Sequence, residues 1–157
     1  MEARINIMEK GQRALKAMYG LNGYLAKCSI EKKLLDLINY RVSQINGCAY
    51  CLDMHSKDLR AEGETEQRLY MISAWREGPM YTDRERAALA WAEAVTKLTN
   101  QDVPDEVYEQ VRKQFSEEEI VELTMATNII NCYNRLNISF RVPGGSYQVG
   151  QHAAAVN

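Results

Sequence analysis

The stretch EKKLLDLINYRVSQINGCAYCLDMH, residues 31–55, carries both a clear helical period and the chain's most reactive side chains. Leu34, Leu35, Ile38, Val42 and Ile45 recur every three or four residues, which gathers them on one face of an α-helix. The spacing predicts a helix from about Glu31 to Ile45. Asn46-Gly47 is its stop, because glycine takes the left-handed conformation of a helix end without steric cost. A second helix is expected to start around Ala49 to Cys51 and to run through His55 and Leu59 to a break at Gly63. This places the CxxC of Cys48 and Cys51 at a helix start.

The same period extends in both directions. Upstream, Leu15, Met18, Tyr19 and Leu25 form an apolar stripe interrupted by Gly20 and Gly23, consistent with one imperfect helix or two short ones. Downstream, a helix from about Thr65 to Trp75 ends before Gly78-Pro79. Thr82 with Glu85, and Ser116 with Glu119, read as capping boxes. The first opens a helix through Ala87, Trp91 and Leu98, and the second opens a long one from Ile120 to Leu136. Asp102-Val-Pro104 opens a short helix between them. No segment alternates as a strand would, so the expected fold is all-α: a single-domain compact helical bundle of about six to eight helices. Residues 1–143 make up the domain. Pro143-Gly144-Gly145 ends the packed body and leaves residues 144–157 as a C-terminal tail, with His152 solvated.

Composition narrows the function. With 157 residues, 46% of them hydrophobic, the chain can bury one ordinary core. Its 19 Lys+Arg against 21 Asp+Glu give a formal charge of −2, and no basic stretch interleaved with aromatics offers a surface for nucleic acid. No run approaches the roughly 20 apolar residues of a membrane span. The opening MEARINIMEKGQRALK lacks the apolar centre of a secretory signal, so a cytoplasmic location with mostly reduced thiols is expected. The 4 cysteines are too few for a disulfide scaffold of this length.

Cys51 and His55 stand at i and i+4 on one helix face, with Cys48 one turn before. Unpaired N–H donors and the positive dipole end at a helix start favour thiolate over thiol. Lowering a thiol pKa from about 8.5 to about 7 raises its ionised fraction at neutral pH roughly tenfold. A metal-binding module is the main rival, because thiolate and imidazole suit zinc. It lacks a convincing fourth ligand unless the fold brings Asp36 close, and no metal is assigned. Tyr40 and Tyr50 suit packing or orienting roles, Tyr50 also as a pocket-lining residue. Asn131 and Asn134, at i and i+3, suggest buried hydrogen bonding or pocket lining. Cys28 and Cys132 read as core thiols.

Asp36 to His55, read as one composite motif, resembles the alkylhydroperoxidase D-like branch of the carboxymuconolactone decarboxylase family. The later residues Asn131, Asn134, Arg135 and Arg141-Val-Pro143 are also similar. The resemblance implies a thiol-dependent (alkyl) hydroperoxide reductase of antioxidant defence. In that scheme Cys51 attacks the peroxide, Cys48 donates a proton and resolves, the two form a redox disulfide, and His55 belongs to a proton relay. The relay's acid is a glutamate in the family and Asp36 here, one methylene shorter. The resemblance further implies a homo-oligomer, a trimer or a hexamer. No nucleotide or flavin motif is present, so no cofactor is expected and an external thiol or dithiol reductant protein must restore the pair. Members without the cysteines carry out other chemistry, lactone decarboxylation included. A redox sensor would use the same reversible disulfide, and only turnover separates it from a peroxidase. A thioredoxin-like enzyme would need a βαβ context that is missing here.

Overall fold

The computed structural model describes residues 2–152 and contains, among them, eight α-helices, two 3-10 turns and no strand. The helices are α1 (Ile7–Lys10), α2 (Gln12–Leu25), α3 (Lys32–Asn46), α4 (Ala49–Ala61), α5 (Glu66–Met71), α6 (Asp83–Lys97), α7 (Asp105–Val111) and α8 (Glu117–Phe140). The bundle expected from the period is the one observed. No helix among the described residues is long and apolar enough to cross a membrane.

α3 is the central element, packed against α4, α6 and α8. Its predicted apolar face supplies Leu34, Leu35, Ile38 and Val42 to the main core, where Ala88, Trp91 and Ala92 of α6 and Leu123, Ala126 and Ile130 of α8 meet them. The alanines let α6 approach closely, and each fully buried Leu, Ile or Val contributes about 1.5–3 kcal/mol. A second cluster joins Leu37 and Leu89 to Ile72, Trp75 and Tyr81, with Tyr40 packed against it. Between the clusters the buried Glu93 carboxylate accepts from Arg41 Nε at 2.7 Å, Trp75 Nε1 at 2.9 Å and Arg76 at 2.8 Å. One carboxylate thereby ties α3, α6 and the segment after α5.

Both capping boxes form as the sequence indicates, at Thr82 and Ser116. α2 runs unbroken through Gly20 and Gly23. Helical glycine costs roughly 1 kcal/mol, but buried Leu15 and Met18 hold the helix down. α3 ends on Gly47 at φ 69°, and α4 begins two residues later, so the CxxC follows directly from the turn between two packed helices.

Two expectations are corrected. Residues 144–152 are not a free tail, because they lie along α4. The Asp53 carboxylate accepts from the Gly145 and Tyr147 N–H groups at 2.8 and 3.1 Å, Lys57 Nζ donates to Tyr147 O at 3.0 Å, and the Tyr147 hydroxyl donates to Asp58 at 3.0 Å. Tyr147 is buried and His152 stacks on it. The remainder of the expected tail, residues 153–157, lies outside the described residues. Of the two supposed core thiols, Cys28 is half-buried against the main core, whereas Cys132 of α8 is exposed, with its sulfur beside that of Met18 in α2.

Candidate active site

Cys48 is the N-cap of α4 and Cys51 closes its first turn. In this geometry the Cys51 N–H, one of the donors that a helix start leaves unpaired, points at Cys48 Sγ from 3.4 Å. The two cysteines are joined as a disulfide with Cα atoms 5.4 Å apart, and both are buried. The pair is not equivalent. Cys51 lines a cavity of about 600 Å3, while Cys48 is not among the cavity's lining residues.

That cavity lies between α2, α3, α4 and α8, and most of its wall is apolar, with Leu15, Leu35, Met54, Ile129 and Ile130 among the contributors. His55, one turn after Cys51, and Asp36 of α3 also line it, so the structure brings Cys51, His55 and Asp36 to one space. His55 is buried and its Nε2 has no hydrogen-bond partner. Burial, then the positive charge of Lys32, push its pKa down to about 4, so the imidazole is neutral at pH 7. A neutral ring with an unoccupied nitrogen is a proton acceptor.

Asp36 is engaged elsewhere. Its carboxylate accepts from Lys32 Nζ at 2.7 Å, and the same ammonium reaches Glu62. Burial raises the Asp36 carboxyl above the ordinary range, and the Lys32 bond works against that rise. No hydrogen bond links Asp36 to His55.

Tyr50 lines the cavity, and its hydroxyl meets His152 Nε2 at 2.7 Å, closing one side with the C-terminal segment. Asn131 and Asn134 do not line it. Asn46 Nδ2 donates to their carbonyl oxygens at 2.9 and 2.8 Å, Asn134 donates to Ser43 at 3.0 Å, and Asn131 donates to Thr96 at 3.0 Å. They knit α3, α6 and α8 together, which is the buried-hydrogen-bond reading of their spacing. The asparagine of α8 that reaches the site is Asn137, three residues beyond Asn134. It lines the cavity and donates from Nδ2 to Cys51 Sγ at 3.3 Å. Asn131 and Asn134 are the first two members of a series in α8 whose third is Asn137. The spacing of three residues is the signal in the sequence that points to it.

Among the described residues no three His, Cys, Asp or Glu side chains are grouped to hold a metal ion. The groups gathered at this apolar space are the Cys48–Cys51 pair, with Cys51 at the wall, a neutral imidazole and a buried carboxyl.

The carboxymuconolactone decarboxylase family model matches residues 12–94, which include all four of these groups. Over 139 residues the chain is 42% identical to the uncharacterized protein YdfG of Bacillus subtilis, covering 88% of this chain and 95% of that one. A crystal structure from Agrobacterium tumefaciens, of a protein of unknown function described as a candidate antioxidant-defence protein AhpD, matches with a TM-score of 0.88. It is 42% identical and covers 93% of this chain and 100% of that chain. The debrominase Bmp8 matches at 24% identity with a TM-score of 0.78, covering 88% of this chain and 75% of that chain, a likeness of fold alone. The chain belongs to the carboxymuconolactone decarboxylase family and has the helical fold of its AhpD-like members.

Proposed function

We propose that this protein is a thiol-dependent reductase of organic hydroperoxides. The observation that carries the reading is the asymmetry of the pair: Cys51 faces the cavity beside His55, and Cys48 stands behind it within bonding reach. In the reduced protein Cys51 loses its proton to the neutral His55, and the thiolate attacks the terminal oxygen of ROOH. The O–O bond breaks, Cys51 becomes a sulfenic acid, and RO⁻ takes a proton from His55 to leave as ROH. The Cys48 thiolate then attacks the Cys51 sulfur, the disulfide forms, and the sulfenic oxygen leaves as water after protonation. Two electrons and two protons from an external dithiol restore the pair. Asp36 serves as a proton reservoir reached through a bridging molecule.

The apolar wall favours an alkyl group over bare hydrogen peroxide, because only the alkyl group gains from leaving water. Assembly into a trimer or a hexamer belongs to the same reading and rests on the family resemblance.

Consumption of an alkyl hydroperoxide with a small dithiol as reductant tests the proposal. Cys51→Ser is expected to abolish turnover. Reduced Cys48→Ser, given one equivalent of hydroperoxide after the dithiol has been removed, is expected to stop at the sulfenic acid, with one added oxygen on the Cys51 peptide. Stoichiometric oxidation without turnover in the wild-type chain would point to a sensor, and full turnover by Cys51→Ser would reject the assignment.

A further inference from the structure

Cys51 Sγ has a donor that neither α4 nor the acid–base pair supplies. Asn137 projects from the last turns of α8, is buried, and directs Nδ2 at that sulfur from 3.3 Å. The helix backbone behind it is closed by bonds from the Arg141 and Val142 N–H groups, the latter to Asn137 O at 2.9 Å, which fixes the position of the side chain's origin. An amide neither gains nor loses a proton in the working range. It stabilises an anion without competing for the proton that His55 must take. A bond to a charged acceptor is also about twice as strong as one to a neutral acceptor, so the contact favours thiolate over thiol.

We propose that Asn137 is a catalytic residue of the site: its side-chain amide stabilises the Cys51 thiolate and holds that sulfur at the cavity wall. The proposal rests on Cys51 being the reacting thiol of the proposed function. Asn131 and Asn134 share its helix and spacing, but their amides are spent on Thr96, Thr127 and Ser43. Asn137 alone of the three spends its amide on a sulfur.

The test is the pH dependence of alkylation of reduced protein by iodoacetamide, read by mass on the peptide containing Cys51. It is performed in a Cys48→Ser background so that no second thiol shares the peptide. Asn137→Leu keeps most of the volume and removes the donor. The midpoint is expected to move up by about one pH unit, leaving roughly tenfold less thiolate at pH 7. Asn137→Asp keeps the shape and faces the sulfur with an acceptor, and its midpoint should rise at least as far. It also serves if the leucine variant does not fold. An unmoved midpoint in either folded variant overturns the proposal. The assay uses no peroxide, so a wild-type chain that fails to reduce hydroperoxides would sink the proposed function and leave this measurement standing.

Discussion

Lys32 Nζ lies 2.7 Å from Asp36 Oδ2, one helical turn apart at the start of α3, and this ion pair stands where the proton relay would place its acid. The same lysine depresses His55, so one ammonium biases both members of the proposed relay. Lys32→Met removes the one charge that lowers both the Asp36 carboxyl and the imidazole. Both groups are expected to titrate higher in the variant, Asp36 more than His55 because Lys32 is hydrogen-bonded to Asp36 and acts on His55 only through its charge. NMR titration of the His55 ring and the Asp36 carboxyl carbon measures this directly, and a fixed His55 titration would show that burial alone sets it.

His55 links the site to stability. Its folded pKa of about 4 lies below the unfolded reference of 6.5. Above pH 6.5 it is neutral in both states. As pH falls from 6.5 towards 4 the unfolded chain takes up the proton first and stability is lost, by up to roughly 3 kcal/mol from this group. Asp36 and Asp58, raised by burial, act in the opposite direction, since protonation as pH falls favours their folded forms. Comparison with His55→Asn cancels those contributions. Denaturant unfolding at pH 7 and pH 4.5 is expected to show a smaller acid loss in the variant, and equal losses would contradict the buried neutral ring.

Glu93 answers three cationic side chains, Arg41, Arg76 and Lys97, together with the Trp75 indole. Its pKa is lowered: burial opposes the shift, and the bonds from Trp75, Arg76 and Arg41 outweigh it. Glu93→Leu leaves Arg41 partly buried without its carboxylate, and a loss of about 3 kcal/mol is expected. The measurement is the denaturation midpoint, and a loss under 1 kcal/mol would show that water reaches Arg41.

How far the chain could be read in advance follows from how local each signal is. The start and stop of α3, and the capping boxes at Thr82 and Ser116, depend on residues within four positions of one another, so their patterns were visible. The Cys48, Cys51 and His55 grouping was legible for the same reason, since one helix carries it. The Lys32–Asp36 pair was also local, yet its effect on the relay was hidden because it depends on which wall of the cavity α3 faces. Arg41 with Glu93 and Asn137 with Cys51 join residues far apart in sequence, and only the packing of α3 on α6 and of α8 on α4 selects the partners. The composition of Pro143-Gly144-Gly145 suits an ending. The reason for Gly144 lies instead in the backbone it touches.

A Cβ on Gly144 would lie 2.7 Å from Ala49 O and 2.9 Å from Ala49 C, both backbone atoms in the first turn of α4. Neither can yield without moving the turn that carries Cys48 and Cys51, so Gly144→Ala must lift the C-terminal segment instead. The contacts at stake are the Asp53 bonds to Gly145 and Tyr147 and the Tyr50–His152 contact at the cavity. A destabilisation of about 1–3 kcal/mol is expected, as for overpacking elsewhere. The local effect is the more diagnostic one. Amide hydrogen exchange of residues 145–152 should accelerate in the variant while α6 stays protected, and Cys51 in the reduced protein should be alkylated faster through the opened side of the cavity. Equal exchange and equal alkylation would mean that this close approach contributes nothing to covering the site.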